Sequence, residues 1–205
     1  MPRRGRPGYD LESLLAVAVT VFNERGYDGT SMEDLSRRLG ISKSSIYYHV
    51  ESKEHLLQLA LDRALDGLFS VADEVSHSNE RAIERLEKLV RASVFVLADR
   101  LPYVTLLLRA RGNTGTERRA LARRRQFDQI VADLVKEAES DGDIRPDVDP
   151  AITARLLFGM VNSLVEWYRP DHASRPAGQA ATDELADAVC AVAFDGLRIR
   201  RIPQG

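Results

Sequence analysis

Residues 30–56, "TSMEDLSRRLGISKSSIYYHVESKEHL", decide how the rest of this 205-residue chain is read. Thr30 with Glu33 three residues on is a capping-box pattern, so a short helix is expected to start there and to end at Gly40. Leu35 and Leu39 mark its inward side. Ser42 is the N-cap of a third helix expected to reach about Val50, with Ile46 and Val50 turned inward. Gly40 suits the positive φ of a sharp turn, and Ile41 plugs the corner between the two helices. Two short helices crossing steeply over that apolar set are a helix-turn-helix. The alternative is an ordinary surface helix of a small bundle. The outward residues weigh against it: Ser42, Lys43, Ser44, Ser45, Tyr47, Tyr48 and His49 include no acid. Small hydroxyl side chains let a helix sink into the major groove and donate to phosphates or base edges. Lys43 reaches a base or a phosphate, and the tyrosine hydroxyls suit phosphates. Lys53 opens a fourth helix, where backbone N–H groups and the helix dipole also favour a phosphate.

Working outward, almost every periodic stretch reads as helix. Leu14, Leu15, Ala18, Val21 and Phe22 follow a 3.6 period between Asp10 and Gly26. Ser52 caps the long fourth helix, and further helices are expected over about 80–99, 101–110, 116–140, 150–168 and 182–199. Asp149 followed by Pro150 is an N-cap and first helical residue. No strand pattern competes. The expected fold is all-α, of about nine helices: a three-helix helix-turn-helix domain over residues 1–55 and a larger helical domain over 56–205. Apolar residues at 44% and charged residues at 29% are those of a globular chain, and no apolar run is long enough to cross a membrane. The N-terminus lacks the apolar core of a secretion signal, and the single cysteine, Cys190, suits a reducing cytoplasm and a buried filler role. Charge is uneven: the first 53 residues hold eight Lys/Arg against seven Asp/Glu, in a chain of net charge -2. Arg3, Arg4 and Arg6 lie in a Pro/Gly-broken arm with no acid before Asp10. Such an arm is a solubilising tail or, beside a nucleic-acid module, a phosphate contact.

The stretch "AVTVFNERGYDGTSMEDLSRRLGISKSSIYYHVESKEHLL", above all "F..RGY.GTS", "LG.SK..IYYH" and "SKEHL", resembles the DNA-binding domain of the TetR family of bacterial transcriptional regulators. The resemblance covers the first 60 or so residues. It implies that Lys43, Ser44, Ser45, Tyr47, Tyr48 and His49 belong to or flank the recognition helix, and that Thr30 and Lys53 hold phosphates. Ser36 departs from the family, which usually has alanine packing between the two helices; serine fits, and its hydroxyl can bond a carbonyl.

For the remainder, the resemblance implies an all-helical body with a small-molecule pocket and a dimer interface built from the last two helices. Independently, "ITARLLFGMVNSLVEWY" is apolar over most of its circumference, with Gly159 permitting close approach. Leu185, Val189, Val192 and Gly196 form one stripe with small neighbours. Two such helices make either a four-helix interface with a second copy or the core of one subunit. Phe127, Ile130, Val131, Leu134, Val135 and Ala138 trace an inward stripe that extends back through Arg124 and Arg123. Seven arginines, Arg109 and Arg111 among them, fall between 109 and 125, answered in that interval only by Glu117. Such a cluster pairs with acids of neighbouring helices or binds an anion. With an apolar pocket beneath, an acyl-CoA thioester or another amphipathic anion would use both features. The segment, with "LLFGMVNSLVEWYRPD", is also similar to family members that control acyl-CoA catabolism. The expected ligand residues are Arg109, Arg111, Arg123, Arg124, Phe127, Phe158, Asn162 and Trp167.

An enzyme finds little support. His49, His55, His77 and His172 have no metal-ligand spacing, and no HExxH, Gly-rich phosphate loop or G-x-S-x-G occurs. The acids of "DGDIRPDVDP" do not make a calcium loop, since the sixth position from Asp141 is Pro146 and the twelfth Ile152. No cofactor or metal is implied. A helical dimer with no DNA-binding role leaves the acid-free helix and the basic arm unexplained. The expected function is therefore a cytoplasmic, homodimeric repressor of a pseudo-palindromic double-stranded operator, released by a small molecule.

Overall fold

Helix α1 (Leu11–Arg25) opens and closes where the pattern predicts. The Asp10 carboxylate accepts from the Ser13 amide at 2.8 Å, and Gly26, at φ +79°, ends the helix with its N–H on the Phe22 carbonyl. Leu14, Leu15, Ala18, Val19, Val21 and Phe22 are buried. The computed structural model describes residues 10–169 and 178–197. Helix α2 (Met32–Leu39) starts one residue later than expected. Its N-cap is Ser31, whose hydroxyl accepts from the Asp34 amide while the Asp34 carboxylate accepts from the Ser31 amide. Thr30 is not the cap: its side chain is buried and its hydroxyl donates to the Gly26 carbonyl at 2.7 Å. Gly40, at φ +67°, makes the turn. The Ser36 hydroxyl donates across that turn to the Ile41 carbonyl at 2.8 Å, so the departure from alanine adds a bond at the corner.

Helix α3 (Lys43–Tyr47) is capped by Ser42 as expected but spans only five residues. Tyr48 and His49 continue as a turn in which the Tyr48 N–H meets the Ser44 carbonyl and the Val50 N–H meets the Ile46 carbonyl. Ile46 and Val50 are buried beside Leu35 and Leu39. Beyond α3 come α4 (Lys53–Ser76), α5 (Ala82–Asp99), α6 (Leu101–Arg109), α7 (Gly115–Ser140), α8 (Pro150–Trp167) and α9 (Gly178–Leu197). These make nine helices among the described residues.

Two compact units divide these helices. The first holds the residues up to Arg63 together with Pro102–Ala120, and the second holds Ala64–Leu101 and the chain from Leu121 on. The first unit is thus larger than the three-helix domain expected over 1–55, because α6 docks on α1. The Asn23 side-chain amide donates to the Pro102 carbonyl at 2.8 Å, and Arg109 Nη1 donates to the Asn23 carbonyl at 2.9 Å. The Thr116 hydroxyl, in the first turn of α7, donates to Glu54 Oε1 at 2.8 Å.

In the second unit α5 packs on α9 and α8, and α8 on α9. Leu86, Leu89, Val90 and Val94 of α5 are buried with Leu157, Val161 and Leu164 of α8 and Ala186, Val189 and Phe194 of α9. Gly67 lies so close to α5 that a Cβ there would stand 2.8 Å from Val96 Cγ1 and from Arg100 Nη1. Cys190 is buried, and that burial pushes its thiol above the ordinary range, as a filler rather than a reactive group requires. The Asp149 carboxylate caps α8 by accepting from the Ile152 amide.

Candidate functional site

In the first unit, α3 and the turn after it present a polar face to solvent. On α3 the Ile46 side chain is fully buried, while Tyr47 is 50% and Tyr48 86% exposed. Tyr48, in the turn just past this five-residue helix, contributes little to the core of its own chain. Tyr48 and His49 meet edge to face at 5.3 Å. The Ser42 hydroxyl lies 2.9 Å from the Ser44 hydroxyl and 2.8 Å from that of Ser45, and also accepts from the Ser45 amide. This places Ser42, Lys43, Ser44, Ser45, Tyr47 and Tyr48 on one exposed patch, with His49 half-buried at its end. Lys43 is not alone there. Its ammonium donates to Glu33 of α2 at 3.0 Å, an acid the reading of the third helix by itself did not bring in. Lys43 holds the Glu33 carboxyl below its usual range.

Two residues expected to hold phosphates are engaged inside the chain. Thr30 is buried, its hydroxyl bonded to Gly26, and so is not available to a phosphate. Lys53 donates to the Tyr27 carbonyl at 2.8 Å and the Thr30 carbonyl at 2.7 Å, and stands 4.2 Å from the Tyr27 ring centroid. It braces the loop between α1 and α2. A lysine just inside a helix start looks the same in sequence whether it faces a phosphate or a neighbouring loop. Arg3, Arg4 and Arg6 lie outside the described residues.

The eight expected ligand residues are divided between the two units. Arg109 and Arg111 belong to the first unit and the other six to the second. Arg109 is bonded to the Asn23 carbonyl, and Arg118 donates to the Gly112 and Asn113 carbonyls. Glu117 meets no guanidinium group among the described residues; of the arginines, Arg111 reaches it through its backbone amide at 3.4 Å. Glu117 accepts from the Thr114 amide at 3.1 Å while the Thr114 hydroxyl accepts from its own amide, a capping box that starts α7. In the second unit Arg123 pairs with Asp66 at 2.7 Å and lies 5.1 Å from the Phe69 ring. From there a column of edge-to-face rings runs inward, Phe69 to Phe127 at 6.0 Å and Phe127 to Phe158 at 5.0 Å. Arg124 makes no hydrogen bond or ion pair among the described residues. It faces Asp128, whose carboxyl burial pushes up and Arg124 and Arg155 draw back down. Asn162 is half-buried. Trp167 follows Phe158 by nine residues, half a turn out of phase on a helix, and is 59% exposed. It lines up instead with Ile152, Leu156 and Ser163 on an outward row of α8, where Ile152 is 53% and Leu156 64% exposed. On α9 Val192 is 69% exposed.

A capped α2, a glycine turn, and a short α3 pinned by Ile46 and Val50 with its polar side bare together define a DNA-reading helix-turn-helix, the working part of a transcriptional regulator. Comparison with known proteins gives the family. Residues 14–60 match the profile of bacterial regulatory proteins of the tetR family, and residues 79–197 that of the tetracyclin repressor-like C-terminal domain. The chain belongs to the TetR family of transcriptional regulators. It is similar to SCO3833, a TetR-family member from Streptomyces coelicolor A3, at 55% identity, with 97% of each chain covered and a TM-score of 0.84. The transcriptional repressor KstR2 of Rhodococcus jostii (strain RHA1) is 28% identical over 203 residues, 94% of this chain and 93% of the relative. A structure of AibR in complex with isovaleryl coenzyme A and operator DNA is 26% identical, covers 89% of this chain and 97% of that one, and superposes with a TM-score of 0.72. No helix among the described residues is long and apolar enough to cross a membrane, and no group of His, Cys, Asp and Glu there has the arrangement of a metal site.

Proposed function

We propose that this chain is a homodimeric repressor in the cytoplasm that reads a pseudo-palindromic operator with α3 and is released by an acyl-CoA thioester. It has no catalytic role in this reading. The observation that carries it is the exposure of Tyr47, at the end of α3, and of Tyr48, in the turn just beyond it, on a segment pinned by a fully buried Ile46. Ser44, Ser45 and Lys43 meet base edges, the tyrosine hydroxyls meet phosphates, and Arg3, Arg4 and Arg6 follow the backbone or an adjacent minor groove. Lys53 and Thr30 contribute indirectly, by fixing the loop before α2. The outward apolar row of α8, with Val192 of α9, fits the same surface of a second copy, and two copies place two reading helices about 34–36 Å apart or at a multiple of that spacing.

Support for the effector is the juxtaposition in the second unit of Arg124, which has donors to spare, with the Phe127–Phe158 column. An arginine beside an apolar interior suits the phosphates and the acyl tail of one molecule. AibR, a relative solved with isovaleryl coenzyme A and operator DNA, favours the same class. The ligand acts only through the difference in its affinity for the two states, about 1.4 kcal/mol for each tenfold preference.

The test is a gel shift on DNA upstream of the protein's own reading frame, at matched salt, with wild type and Tyr48→Ala. The variant should keep its melting temperature and lose about tenfold in affinity across sequences; unchanged affinity removes the phosphate role. Isovaleryl coenzyme A and longer thioesters should raise the melting temperature and release the DNA, and Arg124→Ala should blunt that release more than it weakens DNA binding. If no thioester changes either readout, the effector is of another class.

A further inference from the structure

The reading surface carries a built-in acid. Among the outward residues from Ser42 to His49, Lys43 is the one full positive charge, and its ammonium donates to Glu33 Oε2 at 3.0 Å. The two side chains come from different helices and remain about half and two-thirds exposed, at 50% and 65%. The neighbouring acid of α2, Asp34, is turned away: it is held by Ser31 and lies against Arg37 and Arg25. Lys53, the next cation along the chain, is committed to Tyr27 and Thr30. The patch between α2 and α3 is therefore close to neutral, and what it offers is hydroxyls and phenols.

That neutrality has a physical consequence for how the surface reads DNA. Non-specific binding is driven almost wholly by cations releasing counterions from phosphates. A lysine whose charge is matched by a carboxylate gains little from a phosphate, because the carboxylate is repelled by it. The same lysine still has two donors left for the O6 and N7 acceptors of a guanine edge, which bear no net charge. We infer that Glu33 is a specificity-determining residue: it holds Lys43 as a base-reading donor and suppresses its use as a general phosphate contact. This deepens the DNA-reading function proposed above and rests on it. Glu33 works by disfavouring the wrong target, a route to discrimination that adds no contact to the right one.

A pool of random duplexes is first enriched on the full-length wild-type protein. The selected duplex and a scrambled duplex of equal composition are then titrated by fluorescence anisotropy over a salt series, with wild type, Glu33→Gln, Lys43→Met and the double variant. Glu33→Gln should tighten binding to the scrambled duplex more than to the selected one. Its plot of log affinity against log salt should steepen by about 0.9 for each lysine released, so that its gain over wild type grows nearly threefold, ~2.7-fold, per threefold dilution of salt. In the Lys43→Met background the same substitution should leave slope and selectivity where they were. An unchanged slope and selectivity in Glu33→Gln, or an equal gain in the Lys43→Met background, overturns the role given to Glu33. If the wild type enriches no sequence, the DNA-reading function itself fails, which is a separate result.

Discussion

Replacing Lys53 by methionine separates a brace from a phosphate contact. Methionine keeps the length and apolar stem of lysine and removes only the ammonium. In the native chain that ammonium donates to the Tyr27 and Thr30 carbonyls at 2.8 and 2.7 Å and stands 4.2 Å from the Tyr27 ring. Hydrogen bonds from a charged donor contribute about 1.5 kcal/mol each at the low end of their range, and an exposed cation–π contact about 0.5 kcal/mol. Lys53 is half-buried, so water partly replaces what is lost, which brings the expected destabilisation to about 2 kcal/mol. For a chain of this size that is a fall in melting temperature of about 4–8 °C. Urea unfolding followed by circular dichroism, at one fixed protein concentration because a dimer's stability depends on it, should show a lower midpoint at unchanged m. The salt dependence of DNA binding should keep its slope. The opposite pattern, with stability within about 0.5 kcal/mol of wild type and the slope reduced by about 0.9 per lysine, would refute the brace and restore the phosphate contact.

Ile46→Ala removes the fully buried pin of α3 and should cost about 2–4 kcal/mol in chemical denaturation, with DNA affinity lost in parallel; a stable variant that no longer binds DNA would contradict the pin. Gly67→Ala forces a methyl to within 2.8 Å of Val96 Cγ1 and should destabilise the chain by about 1–3 kcal/mol in a thermal melt. Leu156→Glu combined with Val192→Glu places charge on the outward row of α8 and α9 and should yield a folded monomer by sedimentation velocity; an intact dimer moves the interface elsewhere.

Many helix ends and the apolar period were legible, because Asp10, Ser42, Ser52, Asp149, Gly26 and Gly40 act through bonds to residues three or four away, whereas α3 stops short of Val50 and α9 begins at Gly178, ahead of the expected 182. What escaped depended on partners distant in sequence. Thr30-x-x-Glu33 and Ser31-x-x-Asp34 are overlapping capping boxes, and burial of Thr30 against Gly26 chooses between them. Lys53 satisfies the pattern of a phosphate lysine, yet Tyr27 and Thr30, at separations of 26 and 23 residues, claim its donors. Glu117 reads as a counter-charge to seven arginines until its bond to the Thr114 amide is seen. Trp167 could have been set apart from Phe158 by counting helical phase alone, since nine residues span two and a half turns. Glu33 needed the third dimension: ten residues separate it from Lys43, and the turn at Gly40 brings them together.

The brevity of α3 bears on how such a regulator changes its target. Ile46 and Val50 are the buried side chains that tie the segment to its scaffold, while Ser44, Ser45 and Tyr48 are exposed and Lys43 reaches α2 only through its ion pair with Glu33. Packing falls to Ile46 and Val50, and the exposed positions around them carry the polar side chains. Transplanting a different set of outward residues at 44, 45 and 48 should therefore cost the fold little and rewrite the address, which makes this stretch an exchangeable cassette for building regulators of new promoters.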